Sequence, residues 1–71
     1  MNDEERRKLA VKTAQDAGFE SAAYLGTQDG AHIYAGVAKE GQPTGLPLFI
    51  EIKGSAATTE YGFKYMHLMK E

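Results

Sequence analysis

Cysteine and tryptophan are absent from this chain, and proline and histidine occur only twice each. Without cysteine there is neither a disulfide framework nor a thiolate metal site. No apolar run approaches the roughly 18 residues of a membrane span, and the charged start Met1-Asn2-Asp3-Glu4-Glu5-Arg6-Arg7 has no apolar segment of the kind found in signal peptides. Neither sign of charge dominates, since eight Lys and Arg against ten Asp and Glu leave a formal net charge of -2. That balance argues against a generic polyanion binder, although a local basic patch on one face would survive the average. For a complete chain, these absences point to a soluble, cytoplasmic protein without a membrane partner, with nucleic acid as a minority option.

What is present is a small core. A chain of 71 residues forms one domain, 1–71, and at this size only ~60% of the unfolded surface is buried on folding. Domains this small usually add a disulfide, a metal or an oligomer interface to their core. With thiolates excluded, self-association is the expected supplement.

The most strongly specified stretch is Gly45-Leu46-Pro47-Leu48-Phe49-Ile50-Glu51-Ile52-Lys53-Gly54. Its period of two puts Leu48, Ile50 and Ile52 on one side of a strand and Phe49, Glu51 and Lys53 on the other. Around this central strand the chain reads as α+β: an N-terminal helix, a three- to four-stranded antiparallel meander and a C-terminal helix. The helix over 3–17 starts from Asn2 as N-cap, with Glu5 as its reciprocal partner and Gly18 at the left-handed C′ position. Its apolar stripe, Leu9, Ala10, Thr13, Ala14 and Ala17, is narrow and small in volume. Strands follow over 19–28 and 31–39, joined by Asp29-Gly30, the signature of a type I′ turn.

An unbroken ladder from that turn pairs Gly26 with Ile33, Leu25 with Tyr34, Tyr24 with Ala35 and Ala22 with Val37. One face then carries Ala22, Tyr24, Ile33, Ala35 and Val37, and the other Ala23, Leu25, Tyr34 and His32. The stretch 40–45 is a turn-rich loop, the central strand covers 47–53, and Gly54-Ser55 turns the chain into a short strand over 56–59. Residues 60–70 favour a helix: Glu60 and Lys70 suit its two ends, and Tyr61, Tyr65, Leu68 and Met69 recur at helical spacing. Tyr61, Phe63 and Tyr65 also alternate as a strand would.

The order helix, three strands, helix resembles the double-stranded RNA-binding domain. That family opens its second helix with a lysine-rich phosphate-binding cluster, whereas Ser55-Ala56-Ala57-Thr58-Thr59-Glu60 contains no base, so the electrostatic anchor is missing. Tyr24-Leu25-Gly26, Tyr34 and Gly45-Leu46-Pro47-Leu48-Phe49-Ile50 resemble a set of short bacterial proteins with a helix-sheet-helix pattern and a Gly-Leu-Pro-x-Phe-Ile strand. That resemblance implies a packing scheme and no activity.

Motifs that carry chemistry are missing too. His32 and His67 stand in no ligand spacing and imply no metal. Ser55, Thr58 and Thr59 have no adjacent base to activate a hydroxyl, and Gly41-Gln42-Pro43-Thr44-Gly45 lacks the Lys-Ser/Thr ending of a phosphate loop. No catalytic residue and no cofactor is expected. Arg6, Arg7, Lys8 and Lys12 form the one basic concentration and read as a solvated helix face. The expected function is a non-catalytic protein-interaction module, a homodimer or binder of a protein partner. Its apolar sheet face or edge would do the binding, with Phe49, Leu25 and Tyr34 at the interface. The alternative is a small-ligand or minimal enzymatic site lined by the 40–45 loop and His32, and the second alternative is nucleic-acid binding.

Overall fold

The computed structural model describes residues 2–41, 47–62 and 65. One helix, α1 (Asp3–Asp16), is followed by four strands, β1 (Ser21–Gln28), β2 (Ala31–Val37), β3 (Leu48–Lys53) and β4 (Ala56–Tyr61). The strands form an antiparallel meander in the order β1-β2-β3-β4. The α+β class is that of the sequence reading.

Both ends of α1 are fixed by local chemistry. Glu5 N–H donates to Asn2 Oδ1 at 2.8 Å and Asn2 N–H to Glu5 Oε1 at 3.3 Å, so two amides at the helix start gain partners from each other's side chains. At the other end Gly18 takes φ 95°. Its N–H donates to Gln15 O at 3.0 Å, and Phe19 N–H to Ala14 O at 2.9 Å, the bond pattern of a Schellman cap. Phe19 then joins the cluster that contains Ala14. Because Ala10 and Ala14 are the residues that α1 buries completely, the helix axis can approach the sheet closely.

The first hairpin turns through Asp29 at φ 54° and Gly30 at φ 83°, the two left-handed positions that a type I′ turn requires. Gly26 pairs with Ile33 as the unbroken ladder demands, but the register then slips. Tyr24 stands opposite Tyr34, Ala23 opposite Ala35 and Ala22 opposite Gly36. Leu25 is the extra residue of a β-bulge, and Gly26 beside it takes φ 150°, which side-chain-bearing residues rarely adopt. This corrects the faces expected from the sequence. Tyr34 does not share a side with Phe49: it packs with Ala22, Leu48, Ile50 and Ile52 under α1. Ile33 and Ala35 lie with Phe49 on the far side, where Leu25 packs against them.

The sheet is thus apolar on both faces, and both are covered. On one side α1, with Leu9, Val11, Ala17 and Phe19, closes over the Tyr34 cluster. On the other, Tyr65 meets Phe49 edge-on, with ring centroids 5.7 Å apart at 78°, and its hydroxyl donates to Glu51 Oε2 at 2.5 Å. An aromatic contact of this geometry adds about 0.5–1.5 kcal/mol beyond its area. Strand β4 runs to Tyr61, so Glu60 and Tyr61 are strand residues and not the first turn of a helix. The remainder of the helix expected over 60–70, apart from Gly62 and Tyr65, lies outside the described residues, as does the 42–46 part of the loop.

Gly36 is closely enclosed under the helix side. A Cβ there would come within 3.1 Å of both Leu48 Cδ2 and Phe19 Cδ2. Gly36→Ala is expected to destabilise the fold by about 1–3 kcal/mol through overpacking, read as a lower urea midpoint at unchanged slope. Adding Phe19→Leu should recover part of the loss, because it removes one of the two obstructing groups.

Candidate functional site

The residues expected at an interface are mostly interior. Phe49 is 0% and Tyr34 3% exposed, and Leu25 is half-buried against the Phe49 cluster. The apolar surplus that pointed to an open face is taken up by packing on both sides of the sheet. The alternative places His32 with the 40–45 loop, of which residues 42–45 lie outside the described residues. The loop is anchored at the Val37 end of β2 and the Leu48 end of β3, while His32 pairs with Ile52 near the opposite end. Among the described residues no group of three or more His, Cys, Asp or Glu side chains could hold a metal ion. No helix among them is long and apolar enough to cross a membrane.

A different constellation takes their place. Because of the bulge, Tyr24 turns to the α1 side of the sheet, where its ring meets that of Tyr34 at 5.1 Å and 60°. Its hydroxyl lies 3.2 Å from His32 Nδ1, which braces the ring from the next position along the strand pair. The start of α1 faces these rings. Asp3, Arg6 and Arg7 join Tyr24 and Tyr34 as the lining of a cleft of about 240 Å³.

Electrostatics and packing hold the cleft in shape. Arg6 donates to Asp3 Oδ1 at 2.5 Å, and only 15% of its side chain is exposed against 98% for Asp3. That bond to Asp3 is the main cause holding the guanidinium in its charged form, and Tyr34 adds to it. Burial pushes the Tyr34 phenol above its usual range, and the Arg6 cation, which also donates to the hydroxyl, offsets part of the shift. Tyr34 therefore forms a buried floor whose one polar atom is satisfied from α1. Tyr24, 54% exposed, is the outer wall.

The remaining cations do not concentrate. Arg7, Lys8, Val11, Lys12, Gln15 and Ser21 line a shallower groove of about 300 Å³ along the outer side of α1. Lys8 pairs with Glu4 at 3.5 Å and Lys12 with Asp16 at 3.7 Å, both pairs exposed, so the groove is a mixed-charge surface rather than a basic stripe. Sequence reading missed the cleft because Tyr24 and Tyr34 fall on opposite faces of an unbroken ladder. The available signal was Gly26, a glycine inside a strand pattern, which often marks a bulge.

The buried phenol makes the stability of this region pH-dependent at the alkaline end. A tyrosine whose folded pKa is raised favours the folded state fully below its unfolded value of about 10. That contribution is lost as pH rises from there through the folded value. Tyr34→Phe should flatten the fall in stability above pH ~10, at a cost near neutrality of about 1 kcal/mol for the lost hydrogen bond. Chemical denaturation at a series of pH values measures both effects, and parallel alkaline limbs in the two proteins would contradict the assignment.

Comparison of the chain with protein-family profiles, with curated proteins and with solved structures finds no match.

Proposed function

We propose that this chain is a non-catalytic interaction module that self-associates through the edge of its sheet, strand β4 pairing antiparallel with β4 of a second copy. The observation that carries this reading is the contrast between the two edges. Strand β1 is interrupted by the Leu25 bulge, a device that bends an edge away from intermolecular pairing. Strand β4, Ala56-Ala57-Thr58-Thr59-Glu60-Tyr61, is six residues of regular ladder without bulge, proline or lysine. An edge with none of these protections is a template for a further strand.

Its register supports pairing about a two-fold axis. Lys53 and Ala56 flank the Gly54-Ser55 turn as a hydrogen-bonded pair, and Gly62 N–H donates to Pro47 O at 3.1 Å in the same phase. Ala56, Thr58 and Glu60 therefore direct their backbone groups to β3, and Ala57, Thr59 and Tyr61 direct theirs outward. Centring the axis on Thr59 places Thr59 against itself, Ala57 against Tyr61, and Thr58 against Glu60 of the second copy. No like charges meet, and the β-branched threonines occupy the middle, where cross-strand pairs add about 0.2–1 kcal/mol each. Tyr61, half-exposed on this edge, gains an apolar neighbour. The supplement that a thin core without disulfides calls for is then an eight-stranded sheet.

Sedimentation equilibrium across a wide concentration range is the direct measurement, with reversible dimer formation expected. Thr59→Pro should give a folded monomer, because the N–H it removes points away from β3 and the intramolecular ladder is untouched. Thr58→Pro, whose N–H bonds β3, should instead unfold the hairpin. A wild-type protein that stays monomeric at millimolar concentration, or a Thr59→Pro variant that dimerises equally well, would sink the reading.

A further inference from the structure

We propose that a second surface, the cleft between α1 and the Tyr24–Tyr34 pair, is a subsite for a planar anion of one charge, an aromatic carboxylate. Three features converge on that chemistry. The cleft is walled largely by aromatic carbon, with two tyrosine rings inclined at 60° and centred 5.1 Å apart, one as floor and one as outer wall. A flat ring lying against both, in the angle that the touching rings form, gains offset and edge contacts that a puckered aliphatic ring cannot make. Beyond the rings stand two guanidinium groups and one carboxylate, Arg6, Arg7 and Asp3, which leave the mouth with one uncompensated positive charge.

The cations have different roles. Arg6 is already engaged by Asp3 and by the Tyr34 hydroxyl, and it fixes the floor. Arg7 makes no ion pair among the described residues and borders both the cleft and the neighbouring groove. It is the group that can meet an incoming carboxylate, in the bidentate geometry that guanidinium favours. A ligand cation is repelled by the same pair. A polyphosphate would put several charges against a single uncompensated one, next to the exposed Asp3 carboxylate.

Size narrows the class further. About 240 Å³ is below the roughly 300–1,000 Å³ of clefts that enclose drug-sized molecules. It suits one ring and one acidic group. The walls are also set before any ligand arrives: the capping box fixes the first turn of α1, and His32 Nδ1 holds the Tyr24 hydroxyl at 3.2 Å. Less ordering is left for binding to impose. The same chemistry occurs in free aromatic acids and at the C-terminus of a peptide ending in phenylalanine or tyrosine.

Titration of the full chain followed by amide NMR, with benzoate and with an N-acetylated peptide ending in phenylalanine as probes, tests the proposal. At least one probe should saturate and shift resonances of α1's first turns and of Tyr24. Arg7→Gln and Tyr24→Leu, both at exposed positions, should each weaken it at least threefold while the rest of the spectrum is retained. Tighter binding of the peptide assigns the subsite to chain ends, and tighter binding of benzoate to free acids. Benzamide, cyclohexanecarboxylate or benzylamine binding as well as benzoate would overturn the proposal, as would the absence of saturable shifts or insensitivity to both substitutions. The Thr59→Pro monomer should bind equally well, so failure of edge pairing and failure of this subsite are separate results.

Discussion

A single extra residue at Leu25 governs much of what distinguishes this domain. Strand geometry alternates with a period of two, so inserting one residue into one strand transfers everything beyond it to the other face. Here the transfer puts Tyr24 beside Tyr34 under the start of α1, and leaves Leu25 to pack on the Phe49 side. Gly26 makes the insertion possible by taking a backbone conformation that a side chain would resist. The same bulge interrupts one of the sheet's two edges. Cleft and edge asymmetry thus share one local cause.

Around that irregularity the rest of the fold follows ordinary packing rules. Strand β3 sits inside the sheet and contributes to both cores, Leu48, Ile50 and Ile52 to the α1 side and Phe49 to the other. One helix against one sheet, as among the described residues, covers a single face. Tyr65 instead closes over Phe49, its ring set edge-on and its hydroxyl satisfied by Glu51. Among the described residues no buried side-chain nitrogen or oxygen lacks a hydrogen-bond partner, so the thin core carries no unmatched polar group.

This arrangement buries Phe49 and Tyr34 within the two faces of the sheet. The face-centred reading rested on a surplus of apolar strand residues, and packing accounts for that surplus. Among the described residues packing leaves Tyr24, Val37 and Tyr61 exposed, and Tyr24 at the cleft and Tyr61 on the β4 edge are more than half so. Neither position offers an activated nucleophile or a metal-ligand cluster. Under the two proposals above, the first would meet a small charged ring and the second a strand.

Local chemistry was legible in the sequence from residues a few positions apart. Asn2 with Glu5, Gly18 with Phe19, and Asp29-Gly30 each specify their cap or turn through bonds that close within one segment, and the alternation of Leu48 to Lys53 fixed its own two sides. Three things were decided only by tertiary structure. The strand pairing placed the bulge, because an extra residue is defined only against its partner strand. The extension of β4 through Glu60 and Tyr61 depended on the ladder offered by Leu48 and Phe49, which overrode a helical spacing. The cleft required α1 to lie across two tyrosines that an uninterrupted register separates. Sequence spacing determines which side chains one segment presents together, whereas the meeting of Arg6 with Tyr34 depends on how separate segments are stacked, and that is settled by the packing of the whole chain.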